Sequence, residues 1–257
     1  MKNKKEIFHT DGTEHALAYS VYVVGQDIYV AGVEVEGLNW VAKVWKNNKE
    51  LYKLADNGIA KSIVVHNGDV YVAGYETEGS NQVAKVWKND KELYALTDGS
   101  DYAGAYSVFV AEDKVYTVGN DGNVAKLWKN KSATDLTDGS KSASVNSVFV
   151  AGSNVYTAGK DGNIVKVWKK GSELFALTDG SKDASANSVF VVGDDVYTAG
   201  YEHNGTNYVA KVWKNKKAIF KTDGTKDAFA NSVYVVGEDI YVAGDEGSVA
   251  KVWKNGE

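Results

Sequence analysis

Four histidines, His9, His15, His66 and His203, sit in dissimilar contexts, and no two of them show the spacing of a metal-ligand pair. The chain has no Cys, so thiolate metal sites and disulfides are excluded. Carboxylates come paired, Glu34 with Glu36 and Glu76 with Glu78, and Glu202 stands in a similar stretch. Two carboxylates flanking a glycosidic bond are what sugar hydrolysis uses, one as acid and one as nucleophile or base. Here they read as near-copies of one acidic hairpin rather than a unique pair. Asp11, Asp98, Asp138, Asp179 and Asp223 recur in Thr-Asp-Gly-Ser/Thr, which resembles a calcium-binding oxygen set. An Asp capping its own turn is the simpler reading. A lysine recurs at 43, 85, 126, 166, 211 and 251. Six such cations could ring an anion, but packing is preferred: the stem lies along a tryptophan two residues on, with the ammonium in water. Catalysis normally needs unique groups in perturbed surroundings. A chain this repetitive is therefore expected to be no enzyme, with no catalytic residue, no metal site and no cofactor.

What must position these residues is the repeat itself. Val41-Ala-Lys-Val-Trp-Lys-Asn47 returns nearly unchanged at 83–89, 124–130, 164–170, 209–215 and 249–255. The six tryptophans, Trp45, Trp87, Trp128, Trp168, Trp213 and Trp253, are 42, 41, 40, 45 and 40 residues apart. Each unit holds four short runs rich in Val, Ile, Tyr, Phe and Trp, bounded by Gly, Asn, Asp or Ser, which is the pattern of strands. Nothing has a sustained helical period. Four strands per unit of about 40 residues is the blade of a β-propeller. The expected fold is all-β: a six-bladed propeller, four antiparallel strands per blade, spanning 1–257 as one domain. First strands are expected to begin at Ser20, Ser62, Ser107, Ser147, Ser188 and Ser232. The last unit lacks a fourth strand, and Lys5-Glu-Ile-Phe8 matches Lys217-Ala-Ile-Phe220. Residues 1–11 are thus expected to complete the last blade and close the ring, removing an open edge.

Thr117–Trp128 and Thr157–Trp168 resemble the second and third strands of a WD40 repeat, with an Asp-Gly hairpin (Asp121-Gly122, Asp161-Gly162) and a closing Trp. The chain departs from that family in two ways: no Gly-His pair precedes the first strand, and Lys129 and Lys169 follow the Trp in place of Asp. The resemblance is also to repetitive bacterial propellers, and it implies a propeller rather than a particular activity.

Composition narrows the partners. A net charge of −5 argues against nucleic acid. No apolar run approaches a membrane span or a signal peptide, so a soluble, cytoplasmic monomer is the default expectation. The chain has no Pro or Arg. Binding residues are expected where the repeat breaks: Trp40, Tyr75, Tyr201 and Tyr208 in three stretches taken as long loops, 33–40, 75–82 and 201–208. A second candidate set is the residue before each first-strand Ser, which includes Tyr19, Tyr106, Asn146, Asn187 and Asn231. These groups suit a glycan or a peptide bound multivalently. The alternative is a recently amplified or designed consensus scaffold with no specific ligand. A glycan-active enzyme is the third reading.

Overall fold

In a computed structural model the described residues are 6–257, and they form 23 strands with no helix. Strands β1 (Ala16–Val24), β2 (Asp27–Glu36), β3 (Asn39–Lys46) and β4 (Lys49–Ala55) pair in chain order as one antiparallel meander. The same order repeats in β5–β8 (58–95), β9–β12 (103–135), β13–β16 (143–176) and β17–β20 (184–221), followed by β21–β23 (228–254). These six sheets are the expected blades. The last has three strands. Of the expected closing strand, residues 1–5 lie outside the described residues and Glu6–Asp11 belongs to no strand. Phe8 nevertheless packs on Trp45 at 5.8 Å between ring centroids, as Phe220 packs on Trp253 at 5.6 Å. On the first blade the N-terminal segment thus takes the place that β20 takes on the last.

Contacts divide the chain into two compact units, Met1–Thr117 with Trp128–Ser132, and Val118–Leu127 with Ala133–Glu257. In the first unit the cores lie between successive sheets. Tyr29, Ala31, Ala42 and Val44 meet Ala60, Ile63, Val72 and Trp87; beyond them Tyr71, Ala84 and Val86 meet Ala103, Val108 and Val110. In the second unit Tyr156, Val165 and Val167 meet Ala184, Val189 and Val191 in the same manner. Small Ala residues let the sheets approach while Val, Tyr and Trp fill the space. The terminal sheets keep one such face uncovered. Val21 of β1 is 61% exposed where its counterpart Ile63 is 4%, and Val252 of β23 is 69% exposed where Val212 is 0%.

The repeated heptapeptide is now accountable residue by residue. Ala42 and Val44 are fully buried, and Trp45 is core. Lys46 pairs with Asp27 at 2.7 Å and lies over the Tyr29 ring at 5.0 Å. Asn47 turns the chain with φ 50°, accepts the Ile28 N–H on Oδ1 and donates Nδ2 to Asp27. Asn tolerates that left-handed turn better than most residues.

The first strands all begin four residues earlier than expected, at Ala16, Gly58, Ala103, Ala143, Ala184 and Ala228. The cause is a β-bulge. In five first–second strand pairs the register shifts just before the Ser, leaving Tyr19, Lys61, Asn146, Asn187 and Asn231 without a cross-strand partner. A bulge breaks the two-residue alternation, so the sequence hides the strand's first half. Opposite each bulge stands a glycine. A Cβ on Gly200 would come within 2.0 Å of the Ser185 carbonyl oxygen, and one on Gly74 within 2.0 Å of that of Ile59. Only Gly admits this approach. Replacing Gly200 by Ala is expected to cost about 1–3 kcal/mol through forced backbone movement. An unchanged urea midpoint would show that the bulge does not need its glycine.

Candidate functional site

The three stretches taken as long loops are longer hairpins. Val35 pairs with Trp40 and Glu36 with Asn39 around a two-residue turn at Gly37-Leu38; Thr77 pairs with Gln82 and Glu78 with Asn81 in the same way. His203 pairs with Tyr208. The reason is in the residues: each stretch continues the strand alternation up to a Gly that can turn with positive φ, such as Gly37 at 64°.

These longer hairpins carry the paired carboxylates, and they are tied to the repeated lysine. The expectation that its ammonium reaches water is corrected here. Lys43 is 4% exposed, and its Nζ lies 2.6 Å from Glu34, 2.6 Å from Glu36 and 2.8 Å from Glu50. Lys85 repeats this with Glu76, Glu78 and Glu92 at 2.7, 2.7 and 3.1 Å. Lys126 bonds Asp135 at 2.8 Å, Lys166 lies between Asp161 and Glu173, and Lys211 and Lys251 pair with Glu202 and Glu246. Burial opposes the charge on Lys43, but bonds from Glu34, Glu36 and Glu50 outweigh it and hold its pKa above the ordinary lysine value. The Lys43 hydrogen bond, then that of Lys53, holds the Glu36 carboxyl below its usual range. Glu34, Glu36 and Glu50 cluster closely enough to suggest a metal site, but the cation they surround is the Lys43 ammonium. The aromatic partner of a cation is instead the next lysine's: Lys46, Lys88, Lys214 and Lys254 each lie over a second-strand Tyr. The Thr-Asp-Gly turns hold their own backbone, Asp98 accepting the Ser100 N–H at 2.9 Å and Asp179 that of Ser181 at 2.8 Å.

The aromatic and amide candidates separate into two groups. In the second unit Tyr201, Tyr208 and Phe229 pack together at 5.0–5.2 Å, His203 joins at 5.0 Å, and the Tyr208 hydroxyl donates to Asp183. Asn146 donates to the Ala186 carbonyl at 2.8 Å, and Asn187 to that of Ala230 at 3.1 Å. Asn231 donates to Asp245. These side chains are engaged by the protein itself.

In the first unit the same end of the sheets differs. Trp40 is 40% exposed and meets His15 edge-on at 5.3 Å. Tyr19 is also 40% exposed, and Tyr102, just before β9, is 58% exposed. Tyr75 is half-buried; burial first, then the Tyr102 and Tyr19 phenols, raises its pKa. Tyr106 lies deeper, and burial followed by Tyr102 and Tyr75 pushes it up to about 12. Tyr102 thus lies near both Tyr75 and Tyr106, and Tyr19 lies near Tyr75. Lys61, the one cation among the residues that precede the six first-strand serines, holds its Nζ 3.7 Å from the Tyr19 ring centroid. Tyr102 and Lys61 were not among the residues expected to bind, and the signal that finds Lys61 is its departure from the Tyr/Asn pattern before the Ser.

No family model and no curated protein matches the chain. Solved structures do. A subtype N10 neuraminidase-like protein of A/little yellow-shouldered bat/Guatemala is similar with a TM-score of 0.60 and 8% identity, over 98% of this chain and 97% of that one. A chain of the nidogen/laminin complex is similar with a TM-score of 0.51 and 9% identity, over 95% and 94% of the two chains. The shared feature is the fold: this chain has the β-propeller architecture, six blades of antiparallel strands.

Removing one partner of a buried charge cluster leaves the others uncompensated. Lys43→Met is therefore expected to cost about 3–5 kcal/mol, comparable to Trp128→Ala, which empties a fully buried site and costs about 3–5 kcal/mol. Because the folded state lowers the Glu36 pKa, its stabilisation is present above the unfolded value near pH 4.3 and is lost as pH falls through the depressed one. Melting curves across that window should fall on acidification, less steeply in Glu36→Gln.

Proposed function

We propose that the protein is a non-catalytic binding module that recognises saccharides through the tyrosine-rich strand ends of its first unit. The observation that carries this reading is the solvent exposure of Tyr19, Trp40 and Tyr102 in the first unit. The repeat's own aromatics, such as Trp87 and Tyr71, are buried between sheets. Flat aromatic faces give a pyranose stacking area at low entropic cost, and their hydroxyls and indole N–H serve its polar edge. Support against a hydrolytic role comes from the carboxylate pairs. Glu34 with Glu36, and Glu76 with Glu78, are bound to lysines and so are poorly placed to give or take a proton.

A glycan array on the wild-type chain tests the reading, followed by the double change Tyr19→Ala with Trp40→Ala. Hits are expected to weaken about tenfold or more, with an unchanged circular dichroism spectrum. Peptide hits in the absence of glycan hits would replace saccharide by peptide. A chain that binds neither would favour the amplified or consensus scaffold.

A further inference from the structure

Most lysines that this protein draws out of water are given carboxylates. Lys43 and Lys85 each have three, Lys166 has two, and Lys126 has Asp135 and Asp121. Besides Lys169, which lies over the Tyr156 ring at 5.2 Å, Lys61 is an exception. It is half-buried, and the sole influence on its pKa is burial, which lowers it. Among the described residues no carboxylate lies within 4.0 Å of its Nζ, whose recorded partner is the face of Tyr19 at 3.7 Å. Leaving a cation partly desolvated without a counter-ion is unfavourable, and one aromatic face offsets only part of that cost. The backbone presents it deliberately, since Lys61 occupies the bulge between Ala60 and Ser62 and is paired across no strand.

We propose that Lys61 receives the carboxylate of an acidic saccharide, with Tyr19 as the wall beside it. This rests on the saccharide-binding reading above and narrows it to uronic-acid-type ligands. An ammonium half out of water gains a charge-assisted hydrogen bond to a carboxylate at smaller desolvation cost than a fully hydrated one. One cation asks for one carboxylate, which agrees with the chain's net charge of −5, unfavourable to polyanions. A pyranose ring would find in half-exposed Tyr19 an aromatic face for its apolar side, beside the Lys61 ammonium.

The test uses two probes of one shape, methyl glucuronide and methyl glucoside, titrated into the full chain and followed by chemical-shift perturbation. The glucuronide is expected to bind about five- to thirtyfold tighter, a charge-assisted contact converted to affinity. Lys61→Gln should remove that preference while leaving glucoside affinity and melting temperature unchanged, and Lys61→Arg should keep most of it. Equal binding of the two probes by wild type overturns the role of Lys61 and leaves the saccharide reading standing. A preference that survives in Lys61→Gln also overturns it. Binding of an acidic peptide but neither sugar overturns both.

Discussion

The bulge seen in five of the first strands is the constraint on which the architecture turns. One extra residue opposite a glycine kinks the strand and brings the following Ser out toward the neighbouring sheet. Its hydroxyl then accepts a backbone N–H from the next first strand: Ser20 from Ile63 at 3.2 Å, Ser62 from Val108 at 3.1 Å, Ser147 from Val189 at 3.0 Å and Ser188 from Val233 at 3.2 Å. Such a bond satisfies a backbone donor that sheet-on-sheet packing would otherwise bury unpaired. The Ala-Gly of the second strand and the Ser of the first are therefore two halves of one device. Neither residue can change alone: a larger residue at the glycine strikes a carbonyl, and Ala at the serine strands an N–H.

A second device works on charge. The third strand carries a lysine where apolar packing alone would place a hydrophobe, and each lysine is met by one to three carboxylates from the second and fourth strands. Glu34 and Glu36 come from β2 and Glu50 from β4, so one ammonium ties three consecutive strands together. Buried charge of this kind contributes little net stability compared with a hydrophobic substitute. What it supplies is register, because a strand slipped by one residue would send the lysine to the opposite face and leave three carboxylates facing each other.

Much of the fold was legible because the repeat presents the same problem six times. The period, the closing Trp, the Asn turn and the Thr-Asp-Gly cap each have a local physical cause visible in residue type. Three things were not legible. The first halves of the first strands were hidden because a bulge breaks alternation at Tyr19 and its equivalents. The extended hairpins read as loops in the sequence because Gly37 and Gly79 sit in stretches rich in Glu, a residue weak in strands; only the lysine opposite explains the carboxylates. The ammonium of Lys43 was expected in water because lone lysines usually are there, and its three partners lie 9, 7 and 7 residues away in sequence. The candidate site was legible as a set of positions but not as a selection among them.

That selection follows from side-chain length at the bulge. In the second unit Asn146 and Asn187 are short amides, and each donates to the carbonyl of the next first strand, at Ala186 and Ala230. A short donor held there becomes part of the packing between sheets. In the first unit the equivalent positions are Tyr19, Lys61 and Tyr106, and the polar ends of Tyr19 and Lys61 lie farther from Cα than an Asn amide does. Those two side chains lie against each other, a cation on a ring at 3.7 Å. The same bulge thus joins the packing between sheets where its residue is Asn146 or Asn187, and sets a cation against a ring where it is Tyr19 or Lys61. A repeat protein can acquire a specific site in this way without altering the backbone that its sheets share.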